Sequence, residues 1–527
     1  MKKNLIFHPF LLSLFPILAF FNHNFGELVL ENLIRPIVFT FAGVFISWFV
    51  LDFYLKDKQK STVVTSLAFF LLLSSGRFLN KTQALGFSDA LLPQILTQNH
   101  FLPAAVVLLL LLFIPAYLVK KLKNNFQNLT VVLNIASISL LIFPVSAISY
   151  KQATRLTHDL GLTRVIKFTL TNRDRATLPD IYYFVIDRYA NAGTLKNYYG
   201  FDNSDFINFL QSRGFYVASQ SVANYPGTHS SLPSSLNMRY LDDLIKKMGP
   251  DAYDKTPYYK LIEDNEVVTL LKFKGYKYLH FGSMWDPTKT NKFAGYNYEY
   301  SEKPADKIES ELKELEAKEN PLAVFLMETL GQVVIDELSQ EKNYWRISID
   351  QMIELSKSVQ IEGPKFVFMH SLIVHPPYVF DANGNPLPQP LEGAGFRREY
   401  IEQMKFANKT IEKLIDSILK GSSKPPIIIL QSDEGPYPDS FWKGGEGFDW
   451  REATTDDIKE KMGILNAYFL PSTKLDSLYP AITPVNSFRV IFNLYFGENL
   501  LLLPDKSYIY ISRSRPYNLF EVTDLIR

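Results

Sequence analysis

The residues of this chain whose types and spacing suit chemistry lie directly behind short apolar runs. Asp187 follows the run IYYFVI, and Asp433 and Glu434 follow PIIILQ with one serine between. Carboxylate oxygens are the ligands that hard cations such as Mg²⁺, Mn²⁺ and Ca²⁺ prefer. Gly435 and Pro436 allow a bend that lets both carboxylates of the Asp-Glu pair face one cation. A single aspartate behind a strand is commonly only a cap or turn residue, so the prediction depends on these strand ends converging.

A hydroxyl-rich segment supplies a candidate nucleophile. In NYPGTHSSLPSSL, Thr228 comes directly after Pro226 and Gly227 and begins a stretch typical of a helix. A helix N-terminus offers unpaired N–H groups and the positive end of the helix dipole, which favour a phosphate or sulfate. The same position also suits a plain helix N-cap, and the spacing leaves both interpretations open.

Two further segments place aromatic and imidazole groups behind apolar runs. MHSLIVHPPYVFD contains His370 and His375, and GYKYLHFGSMWDP contains His280 and Trp285. The chain has eight histidines, so two within six residues are a mild enrichment. A lone histidine is usually structural, and these side chains become candidates only if they meet the acidic residues.

The elements that must position these residues alternate along the C-terminal part of the chain. The apolar runs IYYFVI, YKYLHF, KFVFMH, PIIILQ and LNAYFL are typical of strands buried on both faces. Helices are predicted at 203–213, 306–318, 321–358 and 397–420. This alternation predicts a doubly wound α/β domain with a mostly parallel sheet over residues 179–527. Ligands of such sheets bind beyond the carboxyl ends of the strands, where the candidate residues stand.

The first 150 residues are predicted to form a helical membrane domain, joined to the α/β domain by a connector at 151–178. About five apolar runs lie at roughly 5–22, 33–54, 61–77, 102–119 and 129–149, each near the ~20 residues that a membrane-spanning helix needs. The first run also resembles a signal peptide, but no small-residue cleavage site follows it.

Basic residues orient these helices. Lysines cluster in alternate connections, at Lys2 and Lys3, at Lys56, Lys58 and Lys60, and at Lys120, Lys121 and Lys123. The positive-inside rule makes those connections cytoplasmic, so five crossings put the α/β domain outside the cytoplasm. We therefore expect a multi-pass protein of the plasma or inner membrane.

Composition excludes several classes of function. The net charge is +1, which does not favour nucleic acid as a partner. The chain has no cysteine, which excludes disulfides, thiolate metal sites and a cysteine nucleophile. No Asp-x-Asp motif follows a strand, which disfavours a metal-dependent glycosyltransferase.

In this order the segments resemble the alkaline-phosphatase-like superfamily, which includes sulfatases, phosphoglycerol transferases and phosphoethanolamine transferases. The resemblance covers most of residues 179–500. IYYFVIDRY is similar to the opening strand with its metal-binding acid, and NYPGTHSSLPSSL to the nucleophile segment, with Thr228 where the transferases carry threonine. HSLIVHPPY resembles a substrate-binding His-x-Pro-Tyr, GYKYLHFGSMWD the sulfatase strand that ends in Gly-Lys-Trp-His, and ILQSDEG the Ser-Asp-His-Gly metal motif. The helices followed by an external domain resemble lipoteichoic-acid synthases.

The resemblance implies a metal-dependent enzyme that transfers or cleaves a phospho-substituent on a membrane lipid or cell-envelope glycan. It implies one divalent cation (Mn, Mg or Ca) held by Asp187, Thr228, Asp433 and Glu434, with Thr228 as the nucleophile. It implies substrate contacts from His375, His370, His280 and Trp285.

Two departures limit what the resemblance implies. Glu434 stands where the family motif has histidine, which keeps open a degenerate relative that serves as a binding or assembly subunit. The Cys/Ser-x-Pro-x-Arg sequence of sulfatases is absent, which disfavours hydrolysis of sulfate esters by the usual route.

Overall fold

A computed structural model describes residues 5–23, 25, 30–84, 101–122, 126–157, 178–298, 342–391, 393–471 and 475–527. Within them the helices up to residue 157 belong to one compact unit and the residues from 178 onward to another. The predicted helix 306–318, the first part of 321–358 and most of the connector lie outside the described residues.

Each apolar run of the N-terminal unit falls on a helix. These helices are α1 (His8–His23), α2 (Ile34–Leu55), α3 (Lys58–Ala84), α4 (Phe101–Lys120) and α5 (Gln127–Thr157). Among the described residues, α2 and the stretch Gln127–Ala153 are long and apolar enough to cross a membrane, and shorter apolar helices cover His8–Asn22 and Leu109–Lys120. Five membrane crossings therefore stay a prediction.

Polar groups of these helices face one another, while large apolar side chains face outward. The His8 Nδ1 atom lies 2.6 Å from the Ser66 hydroxyl, and the Asn134 side chain accepts the His8 backbone N–H at 3.0 Å. Phe53 on α2 is 83% exposed and Phe143 on α5 is 71% exposed. Such an apolar exterior around hydrogen-bonded polar residues is unfavourable in water and typical of helices packed in lipid.

The second unit is built on a seven-stranded mixed sheet with the strand order β2-β9-β8-β1-β5-β3-β4. Strands β8, β1, β5, β3 and β4 run parallel, and β9 and β2 are antiparallel to their neighbours. The sheet strands are β1 (Ile181–Ile186), β2 (Tyr216–Val217), β3 (Lys277–Phe281), β4 (Tyr296–Asn297), β5 (Lys365–Ser371), β8 (Ile427–Gln431) and β9 (Asn466–Phe469). Two antiparallel pairs lie outside it, β6 (Tyr378–Phe380) with β7 (Pro386–Leu391) and β10 (Tyr508–Tyr510) with β11 (Leu519–Glu521).

Helices fill the segments between these strands. They are α6 (Ala192–Tyr199), α7 (Ser204–Ser212), α8 (Thr228–Asn237), α9 (Asp242–Met248), α10 (Thr256–Glu263), α11 (Glu266–Phe273), α12 (Asp286–Lys289), α13 (Lys342–Ser356), α14 (Arg397–Gly421), α15 (Asp439–Gly444), α16 (Thr455–Met462), α17 (Pro484–Phe496) and α18 (Thr523–Ile526). The predicted helices 203–213 and 397–420 correspond to α7 and α14, and the described part of 321–358 begins at Lys342.

Alternate side chains of β1 belong to two different hydrophobic cores. Tyr182 and Phe184 pack in one core with residues of α14 such as Met404, and Tyr183 and Val185 pack in the other with residues of α8 and α17. Apolar residues are therefore needed at every position of β1, which explains its continuous hydrophobicity. The five predicted strands are all present. The run LNAYFL forms β9, which is antiparallel to β8, because the hydrophobicity of a run does not indicate the direction of the strand.

Candidate active site

Asp187 lies at the carboxyl end of β1, in the middle of the sheet. Its backbone N–H donates to the Ser371 carbonyl at the end of β5 (3.0 Å), and its carboxylate is buried. The next residue, Arg188, has φ +61°, a left-handed conformation that side chains other than glycine rarely adopt. The turn therefore stores strain at the point where the chain passes the sheet edge, as functional sites often do.

Asp433 reaches the same edge from β8, which pairs with β1. The chain bends directly behind it, and the Gly435 N–H donates to the Lys461 carbonyl at 3.0 Å. A Cβ atom at Gly435 would lie 2.5 Å from that carbonyl oxygen, so this close approach requires glycine. The predicted bend at Gly435 is therefore present, and it leaves the Asp433 carboxylate buried.

His370 completes a group of three possible metal ligands. It lies on β5, where it is paired with Val185 of β1, and its Nε2 atom is 3.6 Å from Asp187 Oδ2. One ligand atom each from Asp187, His370 and Asp433 lie within 4.8 Å of one another. The His370 Nδ1 atom lies 2.8 Å from the Thr288 hydroxyl, a contact that orients the ring as second partners of metal-bound histidines do.

The bonding of these three side chains fits a cation. Among the described residues, Asp187 Oδ1, both oxygens of Asp433 and His370 Nε2 are buried without a hydrogen-bond partner. Buried polar atoms are rarely left unpaired, because that costs about 1–3 kcal/mol each. A divalent cation would bind four such atoms at once, which makes it the group that best explains them.

Electrostatics at the two aspartates point the same way. Burial and the negative charges of Asp187 and Glu434 raise the pKa of Asp433 well above its usual range. Burial also opposes ionisation of Asp187, but the imidazole of His370, 3.6 Å away, and the positive charge of Arg188 keep its pKa below the usual range. Two buried carboxylates that repel each other in this way form a strong site for a cation.

Thr228 is the hydroxyl that meets this group. It is the first residue of α8, and its Oγ1 atom lies 3.5 Å from Asp187 Oδ2. The N-cap is Gly227, so the interpretation of Thr228 as an N-cap is wrong. Thr228 is half-buried, whereas Ser230 and Ser231 are buried and donate their hydroxyls to backbone carbonyls. In this segment Thr228 is therefore the hydroxyl that combines access with proximity to Asp187.

Glu434 does not join Asp187 and Asp433 as the sequence predicted. Its Oε1 atom accepts the Arg188 Nε–H at 3.0 Å, and its Oε2 atom accepts Lys461 Nζ at 2.8 Å. All three side chains are almost completely buried. Asp433 and Glu434 lie in the bend after β8, and their side chains face different partners, Asp433 toward Asp187 and His370 and Glu434 toward the two cations.

Of the other predicted substrate contacts, Trp285 and His375 lie near the site, whereas His280 is bonded within the core. Trp285 packs edge-on against His370 with ring centroids 6.0 Å apart. His375 is half-buried, and burial and the Arg188 charge lower its pKa to about 3, so its imidazole is neutral. His280 is engaged at both ring nitrogens, with the Tyr278 hydroxyl (2.8 Å) and the Thr288 carbonyl (2.7 Å). His280 is thus held as a core residue.

A prediction about stability follows from the Glu434 contacts. Changing Glu434 to glutamine should lower the free energy of unfolding by about 3–5 kcal/mol, because Arg188 and Lys461 would stay buried without their carboxylate. Mn²⁺ binding by the purified variant should persist, since the two carboxylate oxygens of Glu434 are bonded to Arg188 and Lys461. Chemical denaturation and metal titration measure the two effects.

The matched control is Asp251→Asn, which breaks an equally short but exposed pair with Arg515 (2.8 Å). It should cost at most about 1 kcal/mol. If a folded Glu434→Gln protein lost Mn²⁺ binding, Glu434 would be a metal ligand after all.

Comparison with known proteins gives structural neighbours only. No family model and no curated protein sequence matches the chain. A putative sulfatase from Bacteroides fragilis is 12% identical with a TM-score of 0.38, over 65% of this chain and 83% of that one. The periplasmic domain of EcEptC from Escherichia coli, in complex with Zn, is 14% identical with a TM-score of 0.40, over 68% and 96%.

A third structure extends over the helical region. The integral membrane protein lipooligosaccharide phosphoethanolamine transferase A from Neisseria meningitidis is 13% identical with a TM-score of 0.39, over 93% of this chain and 95% of that one. A sulfatase and a phosphoethanolamine transferase, two of the classes that the motifs resemble, are thus among the structures that are similar to this chain.

Proposed function

We propose that this chain is a membrane-anchored, metal-dependent enzyme that transfers or cleaves a phospho-substituent on a lipid or cell-envelope glycan. The observation that carries the proposal is the position of Thr228. The half-buried Thr228 lies at a helix N-terminus, with its hydroxyl 3.5 Å from Asp187 Oδ2. Asp187, His370 and Asp433 together bring possible metal-ligand atoms, several of them buried without a hydrogen-bond partner, to one place. This combination suits a nucleophile activated beside a cation.

The chain's own residues then take distinct roles. Asp187, His370 and Asp433 would hold a divalent cation, which when bound lowers the pKa of a nearby hydroxyl and polarises phosphoryl oxygens. The Thr228 oxygen attacks phosphorus, the bond to the leaving oxygen breaks, and the proton that Thr228 gives up ends on that oxygen, which departs as an alcohol. The phospho-threonine is then resolved by a sugar, a glycolipid or water. His375, being neutral, binds an oxygen of the substrate as a hydrogen-bond partner.

The experiment is to trap the phospho-threonine. Purified full-length protein in detergent is incubated with bacterial envelope lipids and Mn²⁺, then digested and analysed by mass spectrometry. We expect a Mn²⁺-dependent mass increase on the peptide that contains Thr228. Absence of an adduct together with absence of metal binding would favour the degenerate relative that binds or assembles without catalysis.

The substrate class also requires a location outside the cytoplasm, which yields a prediction about topology. Reporter fusions at Lys58, beside a lysine cluster, and at Asp180, before β1, should report opposite sides of the membrane. The exposed apolar side chains of α2 and α5 support a membrane location. If both fusions report the cytoplasm, the number of crossings is even and an envelope substrate is excluded.

A further inference from the structure

A group of buried cations lies next to the proposed nucleophile. The Tyr437 ring has the Lys461 Nζ atom 3.6 Å from its centroid and the Arg188 Cζ atom 4.6 Å from it. The Tyr437 hydroxyl is fixed in turn by the Tyr510 hydroxyl at 2.7 Å. Glu434 pairs with both Arg188 and Lys461. Its single negative charge balances only one of these two positive charges.

The two cations differ in how completely they are bonded. Lys461 Nζ donates to Glu434 Oε2 and also to the Gly435 carbonyl at 2.9 Å, and its side chain is fully buried. Arg188 donates only its Nε–H to Glu434, and among the described residues its two terminal nitrogens have no hydrogen-bond partner. The Arg188 side chain keeps 6% of its surface exposed, whereas the Lys461 side chain keeps none. Arg188 therefore keeps its guanidinium end free for a ligand.

The position of Arg188 is close to the reacting centre. Arg188 directly follows Asp187, whose Oδ2 atom is 3.5 Å from the Thr228 hydroxyl. The carboxylate that holds Arg188 also borders the nucleophile, since Glu434 Oε2 lies 3.7 Å from the Cβ position of Gly227, the residue before Thr228. Arg188 also has a left-handed backbone conformation, which costs energy in residues other than glycine and occurs preferentially at functional sites.

We propose that Arg188 binds the anionic oxygens of a phosphoryl group in front of Thr228, with Glu434 and Tyr437 as the positioning residues of its guanidinium. This rests on the proposed function for the place of the phosphoryl group. A planar guanidinium matches two oxygens of one phosphoryl group with two N–H groups, which a lysine cannot do. Glu434 fixes the Nε side of the fork, so the free terminal nitrogens have a defined direction without substrate.

The test is a titration of purified full-length protein in detergent with inorganic phosphate, with and without Mn²⁺. Arg188→Gln should weaken phosphate binding at least tenfold and leave Mn²⁺ affinity within about twofold, because the metal ligands are untouched. Arg188→Lys keeps the charge and should lose three- to tenfold, and it serves if the glutamine variant does not fold. Arg213→Ala removes an exposed arginine paired with Asp416 and should change neither affinity.

The outcomes separate the two proposals. If Mn²⁺ binds but phosphate affinity is the same in wild type, Arg188→Gln and Arg188→Lys, the role of Arg188 is wrong and the metal site stands. If wild type binds no phosphate, the role of Arg188 is also wrong. If wild type binds no Mn²⁺ but loses phosphate affinity on replacement of Arg188, the proposed metal-dependent function is wrong and the anion site stands.

Discussion

Replacing Thr228 by alanine is expected to abolish the covalent adduct and to reduce turnover by on the order of 10³-fold or more, as loss of a nucleophile does in other enzymes with covalent intermediates. The physical reason is that its oxygen has no substitute. Ser230 and Ser231 are buried and donate to the carbonyls of Gly227 and Tyr225, so neither can replace it. Mass analysis of the adduct and rate measurement on the same protein preparation check this result.

Stability should change little in the same variant. Thr228 caps no backbone N–H of α8, because the N-cap is Gly227, so the unfolding free energy should fall by less than the ~1 kcal/mol of a lost cap. Thr228→Ser keeps the hydroxyl and should retain part of the activity, while Ser230→Ala and Ser231→Ala should lose far less than Thr228→Ala. Wild-type turnover in Thr228→Ala, or an adduct on either serine, would contradict the assignment.

Replacing Asp433 by asparagine is expected to stabilise the metal-free protein while abolishing its stabilisation by metal. The pKa of Asp433 is raised in the folded state, so its ionisation opposes folding increasingly as pH rises above the unfolded value of about 3.9. Asparagine removes this cost near neutral pH, and it also removes the charge that a cation needs. Mn²⁺ at about 100 times its dissociation constant should stabilise wild type by about 2.7 kcal/mol and the variant by almost nothing.

Asp187→Asn is the matched variant with the opposite sign in the metal-free protein. The pKa of Asp187 is lowered, so its ionised form contributes stability above the unfolded pKa, and this contribution is lost as pH falls through the folded value. Asparagine should therefore destabilise the metal-free protein near neutral pH and also abolish the effect of Mn²⁺. Thermal unfolding with and without Mn²⁺ measures both variants. Full stabilisation of either one by Mn²⁺ would exclude it as a ligand.

The sequence by itself determined five strands of the main sheet and the positions of Asp187, Asp433 and Thr228 relative to them. Continuous apolar runs placed the five strands within one residue or so of their ends, because burial on both faces leaves no polar positions. Asp187 and Asp433 could be predicted as partners, since residues behind parallel strands share one edge of a sheet. Thr228 could be predicted from its place after Pro-Gly at the start of a helix, with the cap and nucleophile interpretations both open.

Only the tertiary structure decided the partners of Glu434 and His370. His370 lies next to Asp187 because β5 is the neighbour of β1 in the sheet. The order of strands in a sheet cannot be predicted from a single apolar run. Glu434 pairs with Lys461, which is 27 residues away on α16, and with Arg188, which is 246 residues away. Local sequence determines the hydrophobic pattern and the backbone bends. The charge of a buried side chain is balanced by a group that the fold brings within about 3 Å, and here that group comes from a distant segment of the chain.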